Sequence, residues 1–208
     1  MTQTPQLVAI SGLPGAGKTT LCLALAKRLP TVRLFHYDQY ETITKRAPAE
    51  LQAWIARGAD PDEINLDRLV ADIAEAKART EPGGGYIILD TPLGRLHRET
   101  SRLIDHAIWI ALPAALALAR QIGSQADGAL RSPDDSAARQ FAGWLSGFLQ
   151  GYEAFIHDIS ERQTARARQE SDLVIDGRQP VEALADSVAA WLEARRHGDA
   201  ALARPVPS

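Results

Sequence analysis

Short apolar runs alternate along the chain with longer segments in which apolar residues recur every three or four positions. The short runs are rich in β-branched and aromatic residues, which predicts buried strands. They cover residues 6–11, 31–37, 86–89, 106–111 and 173–175. The segments with helical spacing predict helices at residues 20–29, 65–79, 134–169 and 181–195, and a further helix opens at Pro113. Alternating strands and helices predict an α/β fold in which helices cover both faces of a mainly parallel sheet.

The predicted helical segment 134–169 carries a stripe of aromatic residues at steps of three and four positions. Its members are Phe141, Trp144, Phe148, Tyr152 and Phe155. We interpret the stripe as the side of a helix that packs into the core, rather than as a binding surface. Trp54, on a short helical stretch, has the same interpretation.

The composition fits a single globular domain. A chain of 208 residues is long enough for one well-buried α/β domain and short for two. Hydrophobic residues make up 45% of the chain and charged residues 24%, which is typical of a globular protein. We therefore predict one domain at residues 1–196, followed by a disordered tail at residues 197–208.

The charge and the apolar content limit the expected partners. A formal net charge of −3 gives no global field that would attract nucleic acid or anionic lipid. No stretch approaches the ~20 apolar residues that a membrane span needs, and the N-terminal residues lack the pattern of a signal peptide. The single cysteine, Cys22, excludes an intramolecular disulfide and fits a reducing compartment, so we expect a cytoplasmic protein.

The strongest motif lies between the first predicted strand and the first predicted helix. It fits the pattern G-x-x-x-x-G-K-[ST], the P-loop that holds nucleotide phosphates. Its residues are Gly12, Leu13, Pro14, Gly15, Ala16, Gly17, Lys18 and Thr19, and Thr20 follows. Because strand, glycine-rich turn and helix come in the required order, we predict that these residues bind a nucleoside triphosphate.

The chemistry of such a loop follows from its backbone. Glycines allow positive φ, so successive N–H groups point into one concavity that binds anions. The positive end of the following helix dipole adds to this attraction. Lys18 is expected to reach the β- and γ-phosphates, and the hydroxyl of Thr19 is expected to ligate Mg²⁺.

Two further polar positions follow predicted strands. Asp38 and Tyr40 come after the second strand, at the sheet edge where ligands of open α/β sheets gather, and both are predicted to contact the substrate. Asp38 is placed to orient an acceptor hydroxyl and to accept its proton, with a turn or helix-cap role as the alternative. Asp90 follows the third strand and is predicted to hold Mg²⁺ with Thr19, although the same edge also permits contact with the acceptor.

Several arginines are candidates for stabilising phosphoryl charge. Arg95, in the turn after the third strand, is predicted to contact substrate, with a surface ion pair as the alternative. Residues 123–133 form a polar segment that predicts a lid loop over the phosphate site. Arg120 and Arg131 flank it and are predicted to act on the transferring phosphoryl group, and Arg139 is a weaker candidate.

With this P-loop, Asp38-Gln39-Tyr40 after the second strand, Asp90 after the third and Arg120 beyond the fourth, the chain resembles the P-loop nucleoside and nucleotide kinases. The resemblance covers most of residues 6–192 and is strongest to the uridine kinase-like branch. It implies the P-loop NTPase fold, a three-layer α/β/α sandwich with a five-stranded sheet in the order 2-3-1-4-5. It also implies an ATP donor with Mg²⁺ and a mobile lid, and it carries the family's acceptor-binding aspartate onto Asp38 and its lid arginine onto Arg120.

Together these features predict an ATP-dependent phosphotransferase that moves the γ-phosphoryl group of ATP-Mg to a hydroxyl of a small molecule. The acceptor is left open between a nucleoside and a vitamin-like alcohol, since Asp38-Gln39-Tyr40 departs from the paired acidic residues usual in uridine kinases. One alternative is a nucleotide-dependent switch or ATPase without a small-molecule acceptor. Another is a degenerate kinase that binds ATP for structural reasons. We expect a monomer or a homodimer.

Overall fold

A computed structural model of the chain describes residues 2–79, 81–82 and 84–196, so the predicted tail at 197–208 lies outside the described residues. Its main sheet contains five strands. They are β1 (Gln6–Gly12), β2 (Val32–His36), β3 (Tyr86–Asp90), β4 (His106–Ala111) and β5 (Leu173–Asp176). All neighbours are parallel and the order is β2-β3-β1-β4-β5, which confirms the predicted order 2-3-1-4-5. A short antiparallel pair, Thr2–Gln3 with Glu81–Pro82, forms a second sheet.

Helices connect the strands. In the described residues they are α1 (Lys18–Ala26), α2 (Pro48–Ala56), α3 (Asp67–Ala78), α4 (Arg98–Ser101), α5 (Ala114–Arg131), α6 (Ala137–Gly151), α7 (His157–Gln169) and α8 (Val181–Arg196). Single 3₁₀ turns cover Tyr37–Gln39, Ile43–Lys45 and Pro61–Glu63, and a π turn at Tyr152–Ile156 joins α6 to α7. None of the described helices combines the length and the apolar character needed to cross a membrane.

The core has two layers, one on each face of the sheet. Because successive side chains of a strand point to opposite faces, β1 contributes to both layers. Val8 and Ile10 pack with buried residues of α1 and α8, whereas Leu7 and Ala9 pack with residues of α3. Helices thus cover both faces, as the alternating pattern predicts. Trp54 is buried with the second layer, which confirms its predicted core position.

The aromatic stripe of residues 141–155 does not pack into this core. None of the residues of α6 is buried, and α6 lies against α5 and the π turn instead of the sheet. Its aromatic side chains stack on one another, with ring centroids 6.0 Å apart for Phe141 and Trp144 and 5.0 Å for Trp144 and Phe148. The side chain of Phe155 lies outside the described part of the chain. The predicted core role was wrong because helical spacing identifies an apolar face but not the surface that the face contacts.

One histidine at the amino-terminal edge of the sheet makes stability depend on pH. His106 begins β4 and meets the ring of Trp191 edge-on at a centroid distance of 5.3 Å. Desolvation lowers the pKa of His106, although Asp172 and Asp105 oppose that shift. As pH falls below the ordinary value near 6.5, the unfolded chain therefore takes up a proton that the folded protein does not, and folding becomes less favourable.

We expect the free energy of unfolding to decrease as pH falls from about 7.5 to about 5.5, and His106→Phe to remove part of that slope. Urea denaturation at a series of pH values measures it. An NMR titration that placed the pKa of the folded His106 at or above its ordinary value would contradict this prediction.

Candidate functional site

The predicted phosphate loop joins β1 to α1. Gly12 ends the strand, and α1 begins at Lys18 directly after Gly17, whose φ is +95°. The amide of Ala16 donates to the carbonyl of Leu13 at 3.0 Å, which closes the loop into a tight turn. The order of strand, loop and helix that the motif requires is therefore present, with the helix N-terminus at the loop.

The loop approaches α5 so closely that one position must be glycine. A Cβ atom at Gly15 would lie 2.0 Å from the carbonyl oxygen of Ala117, and the φ of Gly15 is +81°. Both the contact and the backbone conformation exclude a side chain there. The start of α5 is thus fixed against the phosphate loop.

A cavity of about 720 Å³, here called the nucleotide cavity, opens beside the loop. The loop and the first turn of α1 contribute Pro14, Gly15, Ala16, Gly17, Lys18, Thr19 and Thr20 to its lining. Asp38, Asp90 and Arg120 also line it. The remaining predicted loop residues, Gly12 and Leu13, contribute carbonyl groups that contact Lys18. One cavity therefore brings together residues that the sequence places far apart.

Lys18 lies over the loop. Its Nζ donates to the carbonyl oxygens of Gly12 at 3.1 Å and Leu13 at 3.2 Å. Desolvation lowers the pKa of Lys18, and the nearby carboxylates of Asp90 and Asp38 oppose the shift by favouring the ammonium form. Phosphate oxygens make stronger hydrogen bonds to an ammonium than neutral carbonyls do. An anion in the cavity would therefore attract this group away from the loop carbonyls.

The predicted metal ligands are in direct contact. The hydroxyl of Thr19 donates to Oδ2 of Asp90 at 2.5 Å, and Nδ1 of His36 lies 3.3 Å from the same oxygen. The contact between Asp90 and His36 follows from the sheet topology. Asp90 ends β3, where it lies beside His36 of β2 and Ile10 of β1 in the parallel register. Asp90 is buried, with an exposed fraction of 8%.

These two oxygens fit Mg²⁺. Magnesium prefers hard oxygen ligands and is usually held by one or two protein groups together with water and substrate phosphates. A carboxylate and a hydroxyl beside a phosphate loop meet that requirement. Among the described residues no cluster of three or more His, Cys, Asp or Glu side chains could hold a metal, so a full protein cage is not the arrangement found there.

Asp38 faces the same cavity from the 3₁₀ turn that follows β2. Its side chain is exposed to the cavity, but partial desolvation raises its pKa, and the like charge of Asp90 adds to the shift. Lys18 acts in the opposite direction. The carboxylate is therefore more basic than an ordinary aspartate, which favours proton acceptance.

Arg120 belongs to the first half of α5 and lines the cavity opposite the loop. Its Nη1 donates to the carbonyl of Gly177 at 2.8 Å, which ties α5 to the turn after β5. The guanidinium group is thus fixed at the cavity wall, where a charged ligand would meet it.

Sequence reasoning missed several residues of this site. Gln121 and Ser124 of α5 and Gln179 after β5 line the cavity, and His36 contacts Asp90. Gln179 and His36 could have been found, because both lie at the carboxyl edge of the sheet, where ligands of such sheets bind. Gln121 and Ser124 carried no comparable signal in the sequence.

Arg95 is not near the nucleotide cavity, contrary to its predicted substrate contact. Its guanidinium donates to Oδ2 of Asp172 at 2.8 Å and to the carbonyl of Ile104 at 2.9 Å. Asp172 precedes β5 and Ile104 precedes β4, so this ion pair lies at the amino-terminal edge of the sheet. The alternative interpretation as an ion pair is therefore the correct one.

The segment predicted to form a lid loop is helical over most of its length. The segment from Gly123 to Arg131 continues α5 as a helix, so no loop begins at residue 123. Arg131 consequently lies about 16 Å along the helix axis from Arg120. It is exposed and does not line the nucleotide cavity, which corrects the expectation that it acts on the phosphoryl group. Arg139 is also exposed and outside the lining.

Tyr40 lines a second concavity of about 440 Å³, here called the outer pocket. Its hydroxyl donates to Oδ2 of Asp72 at 2.8 Å. Desolvation raises the pKa of Tyr40, and the hydrogen bond to Asp72 adds to this shift. The phenol therefore stays protonated and acts as a hydrogen-bond donor at the edge of the outer pocket.

Comparison with known proteins supports the assignment of the fold. A family model described as an AAA domain matches residues 8–124. Shikimate kinase from Acinetobacter baumannii, solved with shikimate, aligns at 13% identity and a TM-score of 0.51 over 93% of this chain and 96% of its own.

Two other solved structures align over similar lengths. A protein named APE1195 gives 17% identity and a TM-score of 0.54 over 92% of this chain and 97% of its own. An unliganded sugar kinase from Janibacter sp. HTCC2649 gives 21% identity and a TM-score of 0.48 over 91% and 95%. No curated protein sequence gives a significant match. At these identities the two alignments with TM-scores above 0.5 show a shared fold, the one seen in shikimate kinase.

Proposed function

The chain belongs to the AAA domain family, and on that premise we propose that it is an ATP-dependent kinase that phosphorylates a hydroxyl group of a small molecule. The observation that carries the proposal is the position of Asp38. Its carboxylate lines the same cavity as the phosphate loop, Lys18 and Asp90. A kinase needs a group that orients the acceptor hydroxyl and receives its proton, and a basic carboxylate at that place meets the requirement.

The proposed roles follow the geometry of the cavity. The amides of the phosphate loop and the ammonium of Lys18 stabilise charge on the β- and γ-phosphates. Thr19 and Asp90 would hold Mg²⁺, which supplies further neutralisation of the phosphate charge when bound. Arg120 adds a fixed cation on the wall formed by α5.

The transfer step itself requires Asp38. The acceptor oxygen forms a bond to the γ-phosphorus while the bond to the oxygen bridging the β- and γ-phosphates breaks, and ADP leaves. The proton of the acceptor hydroxyl passes to the carboxylate of Asp38, whose raised pKa suits it to that task. The electron pair of the broken bond stays on ADP, so the step is balanced without another reactant.

The comparisons support the P-loop kinase superfamily and not the narrower uridine kinase-like branch. We therefore propose a hydroxylated small molecule as acceptor without restricting it to nucleosides. We also propose that α5 supplies the arginine expected of the lid, because its first half places Arg120, together with Gln121 and Ser124, at the wall of the cavity.

ADP release with and without acceptors tests the proposal. With ATP and Mg²⁺ alone we expect slow hydrolysis, and with a panel of nucleosides, sugars, hydroxy acids and vitamin-like alcohols we expect at least one class to raise ADP release tenfold or more. Mass spectrometry of the stimulating compound should show one added phosphoryl group. Hydrolysis that no small molecule stimulates, but that a protein partner does, would instead indicate a nucleotide-dependent switch.

A further inference from the structure

The outer pocket borders the same 3₁₀ turn as the nucleotide cavity. It is lined by Gln39, Tyr40, Thr42, Lys45, Asn65, Leu66, Arg68 and Leu69. The 3₁₀ turn at Tyr37–Gln39 supplies Asp38 to the nucleotide cavity and Gln39 to the outer pocket. Because Asp38 and Gln39 are consecutive residues, the two concavities meet at this turn.

The lining of the outer pocket is positively charged. It contains Lys45 and Arg68 and no acidic side chain. The backbone amide of Lys45 donates to the carbonyl of Thr42 at 3.1 Å, but its side chain makes no hydrogen bond or ion pair with any residue that the structure describes. Arg68 lies 4.0 Å from Asp72 and its guanidinium lies 5.5 Å from the centre of the Tyr40 ring.

Asp72 does not neutralise this charge. Its Oδ2 is shared between the hydroxyl of Tyr40 and Arg68. Asp67 also contacts a residue of the lining, since Nδ2 of Asn65 donates to it at 3.4 Å, but neither carboxylate pairs with Lys45. No carboxylate of the described residues pairs with the side chain of Lys45, so the positive charge of that side chain is left uncompensated. Stacking over Tyr40 also orients the guanidinium of Arg68, which reduces the entropy lost when it binds a ligand.

From these contacts we infer that the outer pocket binds the anionic end of the phosphoryl acceptor. The acceptor is accordingly a small hydroxylated compound that carries a carboxylate or a phosphate group. Its hydroxyl lies on the Asp38 side of the 3₁₀ turn, and its anion lies on the side of Tyr40, between Lys45 and Arg68. This inference rests on the proposed kinase function and narrows its substrate class.

A neutral acceptor fits the pocket poorly for a physical reason. Filling the pocket displaces water from Lys45, and a cation that loses water without gaining a counter-charge is disfavoured. A carboxylate or a phosphate supplies both the charge and the hydrogen-bond acceptors that Lys45 and Arg68 need. The pocket therefore selects against the neutral counterpart of its ligand.

Matched pairs of compounds test the inference. Gluconate with glucitol, glycerate with glycerol, and ribose 5-phosphate with ribose are compared in the ADP-release assay and by calorimetry with the full chain. We expect the anionic member of a productive pair to have the higher kcat/KM, by tenfold or more. Activity confined to the carboxylates or to the phosphates identifies which anion the pocket takes, and either result supports the inference.

Two variants connect the selectivity to the pocket. Lys45→Gln and Arg68→Gln should each raise the KM for the anionic acceptor by about tenfold or more, with the KM for ATP unchanged because neither residue lines the nucleotide cavity. Lys27→Gln, at an exposed lysine after α1, is the matched control and should change neither constant.

The outcomes separate this inference from the kinase proposal. If a neutral alcohol is phosphorylated as well as the anions, or Lys45→Gln leaves the acceptor KM unaltered, the inference is overturned and the kinase proposal stands. If no compound of the wider panel releases ADP, the kinase proposal fails. Calorimetry then still decides about the pocket, because anion binding that Lys45→Gln weakens supports it and absence of anion binding overturns it.

Discussion

Replacing Lys18 by alanine should lower the kcat/KM for ATP by about a thousandfold, equivalent to ~4 kcal/mol of lost transition-state stabilisation. Among the described residues, Lys18 is the one lysine that lines the nucleotide cavity. Its Nζ lies at the phosphate loop, 3.1 Å from the carbonyl oxygen of Gly12. No water molecule can replace its charge at the γ-phosphate at equal strength. Both ATP affinity and turnover should therefore fall.

The same substitution should not destabilise the fold. Desolvation lowers the pKa of Lys18, which means that the buried environment disfavours its charge in the absence of nucleotide. We expect the unfolding temperature of Lys18→Ala to equal or exceed that of the unaltered protein when no ATP is present. Stabilisation by added ATP should disappear, since that effect requires binding.

Lys27→Ala is the control for this experiment, because Lys27 is an exposed lysine just after α1 and lies outside the nucleotide cavity. It should retain both ATP binding and turnover. Less than a tenfold loss of kcat/KM in Lys18→Ala would contradict the assigned role, and so would a loss that tracks a fall in unfolding temperature.

Most of the fold could be predicted from the sequence because strand burial is a local property. Runs such as Tyr86–Asp90 are apolar at every central position, since a parallel strand covered on both faces tolerates nothing else. The order of the strands in the sheet could not be predicted in this way. It was predicted from the family resemblance, because the apolar pattern alone does not determine which strands are neighbours.

The candidate site was predictable where its parts are contiguous. Lys18 and Thr19 belong to one motif with fixed spacing, and Asp38 and Asp90 could be placed at the sheet edge because each follows a strand. Arg95 also follows a strand, but the turn after β3 carries it to the opposite edge, where Asp172 holds it. Sequence position relative to a strand therefore places residues within a few positions of its end and no further.

The helical hairpin of α5 and α6 shows the limit of periodicity. Glycine and its polar neighbours favour a loop at residue 123. The structure nevertheless places Gly123 inside α5, because a single glycine costs a helix only about 1 kcal/mol. In α6 the aromatic residues around Trp144 form an apolar face, but α6 lies against the neighbouring helix α5 and not against the sheet. Which surface an apolar face meets depends on tertiary contacts that spacing does not encode.

Replacing Asp38 by asparagine should lower kcat by about 10²- to 10⁴-fold, the range expected when a general base is lost. Asparagine keeps the size of the side chain and can still orient the acceptor hydroxyl, but it cannot accept the proton. ATP should bind at least as well as before, because one negative charge beside the phosphate site is removed while Lys18 remains. We therefore expect kcat to fall while the affinity for ATP stays the same or increases.

The pH dependence gives an independent measure of the same role. Desolvation and the neighbouring Asp90 raise the pKa of Asp38, so its basic form is lost at a higher pH than that of an ordinary aspartate as the solution is acidified. The kcat/KM for the acceptor should therefore rise with pH through that raised pKa, and Asp38→Asn should lack this acidic limb. Asp135→Asn, at an exposed position before α6, should preserve the limb and the rate. Equal losses of ATP affinity and turnover in Asp38→Asn would show that Asp38 supports nucleotide binding and not phosphoryl transfer. Another group of the cavity would then have to accept the proton of the acceptor hydroxyl.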